Sequence, residues 1–171
     1  MDVEVTTYYL EMRDPDELTG KSAIPEGLEV RRIEVPSPEF SRSLYVTVGK
    51  EWLWIDRLVW SGEKWKRWVD RKELVTWVAY MKGAPAGYFE LVMQKDRSVE
   101  IAFFGLLPQF IGKGLGGYLL NEAIRKAWDL DASRVWVHTC TLDHPHALGN
   151  YEARGLTIVR QETHVQDITD G

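Results

Sequence analysis

Residues 106–117 read Leu-Leu-Pro-Gln-Phe-Ile-Gly-Lys-Gly-Leu-Gly-Gly, and they join an apolar run, Val99 to Leu106, to a segment with apolar side chains at Leu115, Leu119, Ala123, Ile124 and Ala127. The first run has the length and composition of a strand, and the second has helical periodicity. Gly112, Gly114, Gly116 and Gly117 crowd the junction. Each glycine costs about 1 kcal/mol relative to alanine inside a helix, so their clustering at a helix start needs a compensating reason. Anion binding supplies one. Without Cβ atoms the backbone approaches an anion closely, and the unpaired N–H groups of the first turn carry partial positive charge. A diphosphate is the natural guest.

Gly112 to Gly117 also satisfies G-x-G-x-x-G, the dinucleotide pattern. That fold wants its glycine turn directly after a strand, repeated βαβ units and an acidic residue after the next strand. Asp143 stands in for the acid, but Pro108 to Ile111 intervene before Gly112, and too little chain follows for the second half of a doubly wound sheet. A phosphate-binding P-loop is excluded more simply, because Lys113 is followed by Gly114 and not by Ser or Thr.

With Gln109 included, Gln109-Phe110-Ile111-Gly112-Lys113-Gly114 resembles the Q/R-x-x-G-x-G/A acyl-CoA signature of the GNAT superfamily of N-acetyltransferases. Ala147, Tyr151 and Gly155 match that superfamily's closing A-x-x-x-Y-x-x-x-G motif. The resemblance covers residues 74 to 164, with the first 70 residues matching only in general arrangement. It implies acetyl-CoA as co-substrate, held by Gly105, Leu106, Leu107, Gln109, Phe110, Ile111, Gly112, Lys113, Gly114, Leu115, Gly116, Gly117, His144, Ala147 and Tyr151. It also implies central strands that splay apart and leave backbone groups free for the pantetheine arm. An in-strand glycine often marks a bulge, which sets the expected start of the splay near Phe104-Gly105. By the same resemblance, the N–H of Gly105 or of Leu106 polarises the thioester oxygen. His144 replaces the asparagine common in the superfamily seven residues before the tyrosine.

The chain's length, 171 residues, suits one domain with a sizeable core. A net charge of -5 gives no basic field for nucleic acid or an anionic membrane, so a phosphate must be held by local geometry. Cys140, the single cysteine, rules out an internal disulfide. No long apolar run or N-terminal signal pattern is present, and a soluble, cytoplasmic protein is expected.

Strands are expected at Val5 to Met12 and Leu28 to Val35, and helices capped by Ser37 and running from Ser61 to Asp70. Leu74 to Met81, Gly87 to Met93 and Val99 to Leu106 should form an antiparallel meander, with Lys82 to Ala86 as the first connection. A strand from Arg134 to Thr141 and a helix around Pro145 to Arg154 follow the glycine-led helix. The order predicts an α+β fold of GNAT type: a mixed, mostly antiparallel sheet with helices on both faces and one parallel pairing near its middle. Residues 1–171 are read as a single domain, with 1–70 as its acceptor side and 74–164 as its acyl-CoA-binding and catalytic portion.

Acetyl transfer to an amine needs an uncharged nitrogen, whereas a lysine-like amine has a pKa of about 10.4 and is protonated at neutral pH. Glu100 is the leading candidate for the base, since it is a carboxylate in the apolar run that feeds the glycine loop; Glu90 on the neighbouring strand is the reserve. Tyr151 occupies the position where the superfamily carries the acid that protonates the departing thiolate. The alternative for Tyr151 is a core tyrosine with its hydroxyl bonded to backbone. His144 and His146 offer two metal ligands at most, so no metal is expected. Cys140 is a conceivable acyl carrier, but nothing cationic surrounds it in sequence.

Five tryptophans stand between Trp52 and Trp68. Trp65 and Trp68 have helical spacing and read as core. Trp52, Trp54 and Asp56 alternate, and an aromatic wall with a carboxylate would suit a cationic amine. The expected function is therefore N-acetyl transfer from acetyl-CoA to a primary amine of a small molecule or peptide. A non-catalytic acyl-CoA sensor and a nucleotide-binding oxidoreductase are the alternatives, and monomer and homodimer both stay open.

Overall fold

A two-residue turn, Lys82-Gly83, starts the meander at the centre of the molecule. Both residues take positive φ, 49° and 88°, the conformation that matches the right-handed twist of the flanking strands. The hairpin is therefore tighter than the five-residue connection expected. In the computed structural model, which describes residues 1–20 and 23–168, β1 spans Asp2–Met12, β2 Leu28–Arg32, β3 Leu74–Met81, β4 Ala84–Met93, β5 Ser98–Leu106, β6 Arg134–Cys140 and β7 Thr157–Asp167. The helices are α1 (Pro38–Gly49), α2 (Gly62–Val69), α3 (Leu115–Asp129) and α4 (Ala147–Ala153).

Serine caps start both early helices. Ser37 Oγ accepts the Phe40 N–H at 3.2 Å, and Ser61 Oγ accepts the Lys64 N–H at 3.2 Å. Each satisfies one of the donors that a helix start leaves unpaired.

All seven strands form one sheet in the order β2-β3-β4-β5-β6-β1-β7. Every pairing is antiparallel except β5 with β6. The alternation of β5 and β6 divides the core. One face presents Leu10, Phe89, Ile101 and Val135 to Leu119 and Ile124 of α3, and the other presents Val78 and Tyr88 to Leu44 and Val48 of α1. The first strand departs from expectation. Residues 1–70 do not form one portion of the sheet: β2 lies at its edge beside β3, whereas β1 inserts between β6 and β7, pairing Thr7 to Met12 with Cys140 to Val135 and Asp2 to Glu11 with Asp167 to Thr157.

The parallel pair is short. Only Ser98, Val99 and Glu100 pair with Arg134, Val135 and Trp136, after which the two strands diverge. The splay thus begins after Glu100, earlier than the Phe104-Gly105 start expected. A bulge does occur in β5, but at Ala102, which lies unpaired where Glu90 opposes Phe103 and Leu91 opposes Ile101. Gly105 has a different reason to be glycine: a Cβ there would lie 2.4 Å from Val48 Cγ1 of α1. Close approach of helix to strand, not a bulge, fixes this residue.

Candidate active site

The gap between β5 and β6 opens into a cavity of about 700 Å³. Ile101 to Leu106 form one wall, and Val137, His138 and Cys140 the other. Ile111, Gly112, Gly116 and Gly117 close one end, the α1–α2 connection contributes Trp52 to Asp56, and the β6–α4 connection with Tyr151 completes the enclosure.

Ladder geometry decides which β5 amides face this gap. Leu107 N–H donates to Ala86 O at 2.8 Å, and Gly87 stands opposite Leu106. In an antiparallel ladder this register turns the Gly105 N–H toward β4 and the Phe104 and Leu106 N–H groups away from it, into the gap. Of the two amides left open by the sequence, Leu106 therefore points the right way.

At the glycine-rich end, Gly112 and Gly114 take φ of 80° and 78°, a backbone that other residues adopt only with strain. A Cβ on either would meet nothing within 4 Å, so the space in front of them is open. No side chain caps α3. Asn150 braces its first turn, donating to Gly116 O at 3.3 Å. The amides of Phe110 and Ile111, expected to face phosphate, are engaged instead: they donate to Leu107 O and Pro108 O in the turn Pro108–Phe110. Gln109, Lys113 and Gly114 are exposed, whereas Leu115 is buried in the main core and Leu107 packs with the α1 cluster. Leu115 can therefore serve a ligand only through its backbone N–H, whereas both backbone groups of Leu107 are already bonded, to Ala86 and Phe110.

Tyr151 is almost fully buried, yet its hydroxyl makes no hydrogen bond among the described residues and the side chain lines the cavity. That excludes the backbone-bonded core tyrosine. Burial, with a smaller contribution from Asp143, pushes its phenol well above the ordinary tyrosine value, so the group stays protonated. Ala147 lines the cavity at the start of α4. His144 meets Trp52 edge to face with ring centres 4.8 Å apart, and its Nδ1 accepts the His146 N–H at 3.0 Å. Burial and then Asp143 raise the Cys140 thiol, the reverse of what an activated nucleophile needs.

The two carboxylates part company. Glu90 is 1% exposed and accepts from Arg57 Nη1 at 3.1 Å and from Trp68 Nε1 at 3.3 Å. It does not line the cavity, so the reserve base becomes a structural anion. Arg57 in turn lies in a cage of Phe103, Trp68, Trp60, Tyr45 and Trp65, with the guanidinium carbon 4.1 to 5.7 Å from the ring centres. Its own N–H donates to Tyr45 Oη at 3.1 Å. The tryptophan-rich segment thus encloses an internal cation, and Arg57 pins the wall that begins at Trp52. Within that wall Trp54 packs on Phe103 and Tyr45, so it is as much core as cavity lining. Asp56 is exposed and lines the cavity. Leu53 takes a left-handed φ of 56°, a strained conformation beside the cavity.

Glu100 is mostly buried and is not among the cavity-lining residues. Burial raises its carboxyl above the ordinary value, with His138 and Arg57 opposing the rise and Glu90 adding to it. Its Oε1 lies 3.6 Å from His138 Nδ1, and Gln94 Nε2 lies 3.5 Å from its Oε2. His138, which the sequence reading left without a role, does line the cavity.

The sequence profile of the Acetyltransferase (GNAT) family matches residues 34–156, more than half of the chain. The chain belongs to the GNAT acetyltransferase family. Its fold agrees with solved GNAT structures. A GCN5-related N-acetyltransferase from Kribbella flavida superposes with a TM-score of 0.68 at 18% identity, covering 99% of this chain and 61% of that one. One from Sphaerobacter thermophilus gives 0.70 at 18% identity, covering 98% and 53%. A spermidine N-acetyltransferase from Vibrio cholerae, solved with CoA and spermine, gives 0.62 at 20% identity, covering 77% and 81%. This chain therefore spans between half and two thirds of the length of the first two. No curated protein sequence matches it. No helix among the described residues is long and apolar enough to cross a membrane.

Proposed function

We propose that this GNAT-family chain transfers an acetyl group from acetyl-CoA to a primary amine, directly, with both substrates bound together. The observation that carries this reading is the gap after Glu100, where unpaired Phe104 and Leu106 amides face a cavity ended by the uncapped start of α3. A thioester with a diphosphate tail matches both parts: the gap suits an extended arm, and the open amides of residues 112–117 suit the phosphates. Acetyl-CoA brings the activated acyl group. The Leu106 N–H then faces the developing oxyanion, a contact whose loss in other enzymes costs about 2.7 to 4 kcal/mol. Tyr151, kept protonated by burial, gives its proton toward the departing sulfur.

Carboxylates on the cavity wall, Asp56 and Asp143, favour a cationic acceptor, as does the net charge of -5. Solved neighbours named as spermidine and aminoglycoside acetyltransferases take acceptors of that kind, which places polyamines and amino sugars first in the acceptor panel. Calorimetric titration with acetyl-CoA, followed by thiol detection with the amine panel, tests the reading. Absence of binding heat would end it, and tight binding without thiol release on any amine would identify a sensor. In the same assay Tyr151→Phe should lower kcat by about 100-fold, within the range of a lost general acid, and leave the acetyl-CoA affinity unchanged.

A further inference from the structure

We propose that His138 takes the proton from the acceptor amine and that Glu100 positions it; the inference rests on the acetyl-transfer reading above. Glu100 and Trp136 are the last residues of β5 and β6 to pair, so His138, two residues on, is the first β6 side chain beyond the divergence on the face opposite α3. It lines the cavity across from Ala102 and Phe103. Glu100 lies behind it. With Nδ1 set toward Glu100 Oε1 at 3.6 Å, Nε2 has no partner among the described residues and is the nitrogen left to meet an amine.

Of the other ionisable groups on the wall, Asp56 and His146 are exposed on the connections before α2 and α4, away from the splayed strands, and several of the rest are engaged. Asp143 accepts from the Thr139 hydroxyl and from the Cys140 N–H, and His144 Nδ1 accepts from His146. Cys140 and Tyr151 hold their protons. The groups that face the His138–Glu100 pair are Gln94 from the β4–β5 turn, Tyr9 from β1 with Arg160 lying 4.0 Å over its ring, and, acting on Glu100, Arg57 and Glu90. A mostly buried carboxylate there favours the imidazolium that forms.

The ammonium gives one proton to His138 Nε2, and the freed lone pair forms the C–N bond as the C–S bond breaks with its electron pair on sulfur. Sulfur takes the Tyr151 proton, the nitrogen's second proton restores Tyr151, and His138 releases its proton to solvent through its exposed edge.

The test compares wild type, His138→Gln, Glu100→Gln and the double variant for kcat and acetyl-CoA KM across pH, using spermidine and an aminoglycoside as acceptors. In His138→Gln, kcat should fall by about 100-fold or more, with acetyl-CoA KM unchanged and the acid limb of the pH profile gone. Glu100→Gln should lose about tenfold with the acid limb displaced, and the double variant should be no slower than His138→Gln alone. An NMR titration of the His138 ring should shift when Glu100 becomes Gln, a readout that needs no acceptor. Wild-type kcat and an intact acid limb in His138→Gln would overturn the role of His138 while leaving acetyl transfer standing. An unmoved ring titration would overturn the positioning by Glu100. A wild type inert toward every amine would remove both readings together.

Discussion

Arg57 keeps its charge inside the protein because five aromatic rings and one carboxylate surround it. A buried pair of this kind is weak evidence for net stability, but removing one member strands the other, at about 3 to 5 kcal/mol. Arg57→Ala and Glu90→Ala should each lower the unfolding free energy obtained from denaturant titration by that order, whereas Arg57→Met with Glu90→Leu should cost much less than the two single losses added. Single variants within about 1 kcal/mol of wild type would show that the cage is not structural. This residue also marks where the sequence stopped being readable. The alternation of Trp52, Trp54 and Asp56 announced an aromatic wall for a cation, whereas the tryptophans that enclose one are Trp60, Trp65 and Trp68, and their cation depends on a contact between positions 57 and 90. His138 was hidden for the same reason: its partner lies on a strand 38 residues earlier and becomes visible only with the parallel register. The placement of the glycine run at the start of α3 and of Tyr151 on α4, which depends on local backbone and one short helix, was legible.

The elements were easier to read than their neighbours in space. Ser37 and Ser61 announced two helices, and runs rich in strand-forming residues announced the meander, because capping and strand propensity are local properties. Where the central strands part was not local. It follows from the bulge at Ala102 and the end of pairing at Glu100, while Gly105 answers to α1. Gly105→Ala should therefore destabilise the protein by about 1 to 3 kcal/mol through overpacking against Val48. Adding Val48→Ala should recover part of that loss, since it vacates the space the new methyl needs. A double-mutant cycle read by chemical denaturation checks this, and strict additivity would contradict the contact.

Across the whole molecule, the wall of the cavity formed by β6 beyond Trp136 has a strand on one side only, and that strand is β1. Leu10 and Met12 of β1 are fully buried and β7 is hydrogen-bonded to the sheet through it. Removal of residues 1–12 should accordingly unfold β7 and abolish acetyl-CoA binding, not merely trim a surface strand; circular dichroism and calorimetry on the shortened chain would report both. A shortened chain that still bound acetyl-CoA normally would refute this. Nothing in the alternation of residues 2–12 distinguishes a strand beside β2 from one beside β6, so this part of the architecture could come only from long-range pairing.

The amine of Met1 donates to Asp167 Oδ1 at 2.9 Å, and the Ile168 N–H donates to Met1 O at 2.9 Å. The polypeptide thus comes into the sheet and leaves it at one corner. Connectivity and architecture are separable here. For residues 1–168 taken as a unit, a short bridge from β7 to β1 and an opening before β2 would leave the same seven-stranded sheet, threaded in a different order.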